Sequence, residues 1–339
     1  MFFSDEINKR NNKEIQEISD YLSGYGLEYD YPDVTYVIRD KGKIISTGSA
    51  EGNILKYFFS DEEYQGQGTM SIIYNSLLNH LIENNIPSFF VFTTPNNKTI
   101  FNSLGLSDVY ATARVALFEG GFYNYNRWID KVKSSIKDKD DKRGTIVVNC
   151  NPMTRGHKYL IEKALEYVND LLVFVVEEDR SVFPFEDRFN IVKNELSHDD
   201  RIRVIEGGPY IISQATFPTY FIKKKDEMLD IYTELDGSIF ADKIAKDLAI
   251  DVRFFGTEPT DLVTLAYNES MKDILSSRDI DVKIIERKSL DKTIISASYV
   301  RKLLKENRID EAFKYLPDSS INYLKSNKGK EIIKKIQSL

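Results

Sequence analysis

The chain has 339 residues, enough for two domains at about 150 residues apiece. Hydrophobic residues make up 42% and charged ones 29%, with 9 Pro and 17 Gly, which excludes collagen-like, mucin-like and wholly disordered chains. Lys and Arg number 46 against 53 Asp and Glu; the net charge of −7 argues against a broad electrostatic grip on nucleic acid and leaves room only for a local basic pocket.

The opening residues 1–6 turn acidic at once and lack an apolar core, so they do not read as a signal peptide. Ile7, Ile15, Ile18 and Leu22 recur at helical spacing, and Gly24 offers a stop. Strands are expected at 34–39 and 43–47, flanking the turn Asp40-Lys41-Gly42, and again at 54–59. An amphipathic helix follows at 70–82, with Ile73, Leu77, Leu78 and Leu81 on one face, then a strand at 89–92 between Pro87 and Pro95. These elements suggest a small α+β domain over 1–126. Residues 127–142 are dense in mixed charge and read as a linker or a solvated helix end.

From 143 to 339 the rhythm changes to strand-helix alternation, the mark of a parallel sheet with crossover helices. Strands are expected at 145–148, 171–176, 203–205, 252–255 and 282–285, and helices at 156–168, 184–196, 239–248, 261–275 and 298–305. The apolar run 171–176 is the longest in the chain and far too short to cross a bilayer. The layout is Rossmann-like, and in such sheets ligands sit beyond the carboxyl ends of the strands. A soluble cytoplasmic protein, with neither membrane nor nucleic acid as partner, is the expectation.

Two segments at such strand ends could carry chemistry. Asn149-Cys150-Asn151-Pro152-Met153-Thr154-Arg155-Gly156-His157 runs from the first strand of this half into a helix. Backbone N–H groups at a helix start suit a phosphate, Gly156 would permit close approach, and His157 could hydrogen-bond a phosphoryl oxygen. The plain alternative is a strand-to-helix turn with a half-exposed histidine. Ile295-Ser296-Ala297-Ser298-Tyr299-Val300-Arg301 follows the last strand; Ser296 and Ser298 offer hydroxyls, and Arg301 lies three residues past Ser298 on the same helical face. Its plain alternative is a serine N-cap with a solvated arginine. Cys150, the one cysteine, has no partner for an internal disulfide and reads as packing; three histidines leave little material for a metal site.

Together these segments resemble the (H/T)-x-G-H and I-S-S-T-x-x-R signatures of the nucleotidyltransferase superfamily. Thr154, Gly156 and His157 match the first; Ile295, Ser296, Ser298 and Arg301 match the second, from which Ala297 departs. Phe183-Pro184-Phe185-Glu186-Asp187-Arg188 resembles the segment that opens the second helix in these enzymes, and the stretch 210–221, Thr233-Glu234-Leu235-Asp236 and Phe255-Gly256-Thr257-Glu258-Pro259 narrow the resemblance to the citrate lyase ligases. It implies an AMP-forming enzyme that joins ATP and acetate and acetylates the thiol prosthetic group on the acyl-carrier subunit of citrate lyase. His157 and Arg301 would be catalytic, and Asn151, Pro152, Thr154, Gly156, Gly256, Ser296 and Ser298 would join them in holding ATP. Arg180, Arg188, Thr257 and Glu258 are further candidates for contacts to substrate or phosphate; Arg180 reads equally as a solvated loop arginine, Glu258 also reads as a surface acid before Pro259, and Thr257 invites the same two readings. Mg²⁺ is implied by the triphosphate alone. An adenylyltransferase building a small nucleotide cofactor, or a catalytically silent nucleotide- or CoA-binding module, would use the same motifs.

In the first half, Tyr64-Gln65-Gly66-Gln67-Gly68-Thr69-Met70 resembles the pyrophosphate loop of the GNAT acetyltransferases, with Met70 where a smaller residue is usual. The implied fold class is α/β, a Rossmann-like parallel-sheet nucleotidyltransferase domain preceded by a GNAT-like α+β domain. Gln65, Gly66, Gln67 and Gly68 are then candidates for binding the dephospho-CoA-like arm of the carrier.

Overall fold

The computed structural model describes residues 2–139, 141–177, 181–211, 217–218, 227–258, 262–290 and 293–338. The candidate Arg180, most of the stretch 210–221, and Pro259 lie outside the described residues. The chain divides into two compact units: Met1–Trp128 with Pro218–Ile231, and Ile129–Phe217 with Tyr232–Leu339.

The first unit runs β1 (Ser4–Glu6), α1 (Asn12–Ser23), β2 (Val34–Asp40), β3 (Lys43–Glu51), β4 (Ile54–Ser60), α2 (Thr69–Glu83), β5 (Ser88–Thr93), α3 (Lys98–Ser103), β6 (Ser107–Ala111) and β7 (Ala116–Gly121). Its seven strands form one sheet in the order β1-β2-β3-β4-β5-β7-β6. Successive residues of a strand face opposite sides, and both sides are covered here. Val37 packs with Ile18 and Leu22 of α1, while Ile38 packs with Ile73, Leu77 and Leu81 of α2. Each of these side chains is buried, at roughly 1.5–3 kcal/mol apiece. The parallel pair β4–β5 matches at only two positions, Ile54↔Phe90 and Leu55↔Val91, so the strands part beyond them. This is the α+β arrangement that the GNAT resemblance implies.

α4 (Tyr125–Ser135) crosses the division between the units. The charged stretch is therefore helical as far as Ser135, and its few apolar residues are used: Ile129 and Val132 are buried. Its cations pair with carboxylates of the second unit, Lys131 with Glu206, Lys133 with Asp247, Lys139 with Asp251 and Lys142 with Asp281.

The second unit continues with β8 (Arg143–Val148), α5 (Arg155–Ala164), β9 (Asp170–Val175), α6 (Phe185–Leu196), β10 (Ile202–Glu206), α7 (Met228–Ile239, of which it holds the part from Tyr232), α8 (Lys246–Leu248), β11 (Val252–Gly256), α9 (Leu262–Ser276) and β12 (Asp281–Ile285). A short hairpin, β13 (Ser289–Leu290) and β14 (Thr293–Ile294), leads to α10 (Ala297–Lys305), α11 (Ile309–Phe313), α12 (Asp318–Lys325) and α13 (Asn327–Ser338). Five parallel strands lie in the order β10-β9-β8-β11-β12. The order reverses between β8 and β11, which opens a crevice at their carboxyl ends. Two differences from the sequence reading stand out. The helix expected at 239–248 begins eleven residues earlier, at Met228, and passes through a π-helical turn at Phe240–Ala245. Gly237 and Thr233, weak helix formers, mask its start. The chain beyond 305 forms three further helices, packed around Phe183, Ile295 and Leu316.

Candidate active site

Thr154 caps α5, and the cap is reciprocal. Its hydroxyl oxygen accepts from the His157 amide at 3.4 Å, and its own amide donates to His157 Nδ1 at 3.0 Å. An amide nitrogen can only donate, so Nδ1 is the acceptor and the neutral imidazole carries its proton on Nε2. The ring thus keeps an N–H that the cap does not use. Desolvation, and then the charge of Arg287, push the His157 pKa down to about 4, so this donor is neutral near pH 7.

At Gly156 the structure shows a close approach of protein to protein. A Cβ there would stand 2.9 Å from the Ile295 carbonyl oxygen, so the glycine lets the two motifs meet. Not all the first amides of α5 are open to a phosphate. Arg155 N–H donates to Tyr315 O at 2.9 Å, and its Nε donates to Leu316 O at 3.0 Å. Both bonds anchor the helix start on the C-terminal helices.

Across from it, Ser296 caps α10 by accepting from the Tyr299 amide at 3.2 Å, and its hydroxyl lies 3.0 Å from that of Ser298. Ser298 is exposed. Arg301 donates through Nη1 to the carbonyl of Asn151, so the second motif also holds the loop that carries the first. Burial lowers the pKa of Arg301 without discharging so strong a base. The Asn151 side-chain oxygen accepts from the Phe183 amide at 3.1 Å, and Pro152 is buried behind it.

Arg188 does not reach the surface. It is 0% exposed, and its guanidinium donates to Phe183 O at 3.0 Å, Val176 O at 2.8 Å and Asn149 O at 2.7 Å. It ties the loops after β8 and β9 to the start of α6. A ligand can feel it only through those loops. Cys150 is buried in the core, and burial pushes its thiol pKa up; packing is its use.

At the end of β11, Thr257 accepts the Arg287 amide on Oγ1 at 3.0 Å, and Glu258, buried, forms an ion pair with the Arg287 guanidinium. Arg287 Nε would lie 3.8 Å from a Cβ on Gly256. Sequence reasoning missed Arg287, the cation that His157 senses. Its one signal was position, two residues past the end of β12, where strand ends in such sheets carry sites. Glu258 thereby becomes the holder of a cation.

In the first unit, Gln65, Gly66, Gln67 and Gly68 form an exposed loop before α2. Gly66 and Gly68 have φ of +77° and +81°, a conformation that favours glycine. Three carboxylates, Asp61, Glu62 and Glu63, come just before the loop. A cavity of about 270 Å³ lies beside the parting β4 and β5, lined by Tyr57, Phe59, Val91, Thr93 and Phe101 among others. Among the described residues no group of His, Cys, Asp and Glu could hold a metal ion, and no helix is long and apolar enough to cross a membrane.

A parallel sheet whose carboxyl edge brings together a T-x-G-H helix start and an I-S-A-S-x-x-R helix start is an α/β protein of the nucleotidyltransferase-like class. Residues 143–324 match the citrate lyase ligase C-terminal domain. The chain is 34% identical to the citrate (pro-3S)-lyase ligase of Escherichia coli K12, over 94% of this chain and 93% of that protein. The enzyme of the same name from Haemophilus influenzae is 33% identical, over 92% and 95%. The chain belongs to the citrate lyase ligase family. It is also 30% identical to the phosphopantetheine adenylyltransferase of Streptococcus gordonii, over 32% of this chain and 69% of that one.

Proposed function

We propose that the protein activates acetate with ATP and passes the acetyl group to a thiol of citrate lyase, in the cytoplasm. An acetate oxygen attacks the α-phosphorus, the bond from that phosphorus to the bridging oxygen breaks, and pyrophosphate leaves. The prosthetic thiolate on the lyase's acyl-carrier subunit then attacks the acetyl carbon, and AMP departs. No protein nucleophile is needed; the work is positioning and stabilising charge. His157 Nε2–H and Arg301 would hold phosphoryl oxygens as negative charge shifts to the leaving pyrophosphate. Thr154 orients the imidazole, Ser296 and Ser298 would add hydroxyls, and Arg287 a second cation. Gly156, Gly256, Asn151 and Pro152 shape the edge on which the nucleotide would lie, and Arg188 holds that edge in place. Mg²⁺ would come with the triphosphate and offset part of its charge. The exposed loop 65–68, where the amides of Gln65 and Gln67 are already taken by Glu62 and Tyr64 carbonyls, and the aromatic cavity of this unit would serve the dephospho-CoA-like arm.

The observation that carries this reading is the meeting of the two motifs at Gly156 and Ile295. Incubation with ATP, with and without acetate and the free-thiol lyase, tests it. Acetate-dependent pyrophosphate release followed by lyase acetylation is expected. Pyrophosphate release that needs a phosphate-bearing acceptor instead would favour the adenylyltransferase reading, to which the Streptococcus similarity lends some weight.

A further inference from the structure

Arg253, the second residue of β11, is 3% exposed, yet its Nε and Nη1 find no hydrogen-bond partner among the described residues. Its third nitrogen, Nη2, has only a long contact of 3.4 Å to the Tyr267 hydroxyl, which itself donates to Asp236 at 2.6 Å. A buried donor left unmade is costly, so such a group calls for a partner that satisfies it. The surroundings show what would fit. The guanidinium carbon lies 4.3 Å from the Phe240 ring centre and 5.0 Å from that of Phe255, and the Tyr232 and Tyr267 rings stack beside them. Nη2 pairs with Nε on one edge of the guanidinium and with Nη1 on the other, so either edge offers a two-pronged grip for a carboxylate. Phe240 and Phe255 beside it are apolar neighbours suited to a short alkyl group.

Phe254 and Val252 belong to the core on the α5 side of the sheet, so Arg253 and Phe255 project to the other face. Phe255 is the neighbour one step nearer the carboxyl end, and Asn268, next to Tyr267, donates to the Gly256 carbonyl at 3.3 Å. The guanidinium therefore lies along the strand that ends at the candidate active site.

We propose that Arg253 binds the carboxylate of the acid to be activated, with Tyr267 steadying its guanidinium and Phe240 and Phe255 restricting the acid to a short chain. The assignment rests on the reading of the protein as a carboxylate-activating enzyme. Its test uses the full chain and Arg253→Lys, which keeps the charge and loses the planar fork. The acetate KM should rise about 10- to 100-fold, the loss expected for a hydrogen-bonded ion contact, while the ATP KM stays unchanged. In parallel, acetate, added with or without α,β-methylene-ATP and against a chloride control, should raise the melting temperature of the wild type and not of the variant. If Arg253→Lys does not fold, Tyr267→Phe decides the matter by the same measurements, with a smaller rise in the acetate KM. An unchanged acetate KM in the folded variant overturns the assignment, as does an acetate shift equal in both proteins or absent from the wild type. Failure of the activity reading looks different. The wild type would then release no pyrophosphate with acetate, while a carboxylate-induced melting shift lost in the variant would still uphold the site.

Discussion

Replacing His157 separates its two nitrogens. Nδ1 completes the cap on α5 through the Thr154 amide, and Nε2–H is the donor left over from the cap. Asn places an amide at about the depth of Nδ1, so His157→Asn should keep the cap and lose the donor, whereas the longer His157→Gln can present an N–H farther out. Loss of a donor to developing charge costs about 10²–10³ in turnover. Acetate-dependent pyrophosphate release should therefore fall by that factor in His157→Ala and His157→Asn, and less in His157→Gln. Because the imidazole is neutral above about pH 4, this contribution should show no inflection near pH 6.5. The same shift has a stability consequence. The unfolded chain protonates this ring near its ordinary value of 6.5 and the folded protein only near about 4. Between those values the unfolded state holds the extra proton, so stability falls as pH falls, by at most about 1.4 kcal/mol per pH unit. Melting temperatures of wild type and His157→Gln, compared across that window, should converge toward low pH. A His157→Asn enzyme within about twofold of wild type, or a wild-type inflection near 6.5 that the variant loses, would refute the neutral-donor argument.

Arg301→Ala should lower acetate-dependent pyrophosphate release about 10²-fold with the fold intact by circular dichroism, and Arg301→Lys should recover part of it because the charge remains. Gly156→Ala sets a methyl 2.9 Å from the Ile295 carbonyl; parting the motifs by even about 1 Å should cost about 10²-fold in kcat/KM, measured beside the melting temperature. A fragment beginning ahead of α4 should melt higher than one beginning at Arg143. The shorter fragment loses buried Ile129 and Val132, at roughly 1.5–3 kcal/mol each, and the Lys137 carbonyl that accepts from Arg143. The ion pairs of Lys131, Lys133, Lys139 and Lys142 add under about 1 kcal/mol each, so equal melting temperatures would show that α4 contributes nothing to this unit. Gly68→Glu, at a φ of +81°, should reduce acetylation of the lyase while leaving acetate-dependent pyrophosphate release unchanged; equal acetylation would place the arm elsewhere.

Much of the protein is written locally. The strand-helix alternation after 143, the helix over 70–82, and the serine and threonine caps of α10 and α5 depend on residues a few positions apart, so pattern alone reveals them. Both helix starts that make up the candidate site were legible for the same reason. The sequence could not say that Gly156 serves Ile295, that Glu258 is occupied by Arg287, or that Arg188 is buried among backbone carbonyls. Nor could it distinguish Arg253, with donors unmade beneath Phe240, from an ordinary strand arginine. Those properties depend on burial and on distances of a few ångström between segments far apart in the chain. Hydrogen-bond and charge energies fall off within such distances, and desolvation depends on what covers a group. The residues capable of the chemistry were set by the sequence; their protonation, partners and reach were decided by the packing of β8, β11, β12 and α10 around one edge of the sheet.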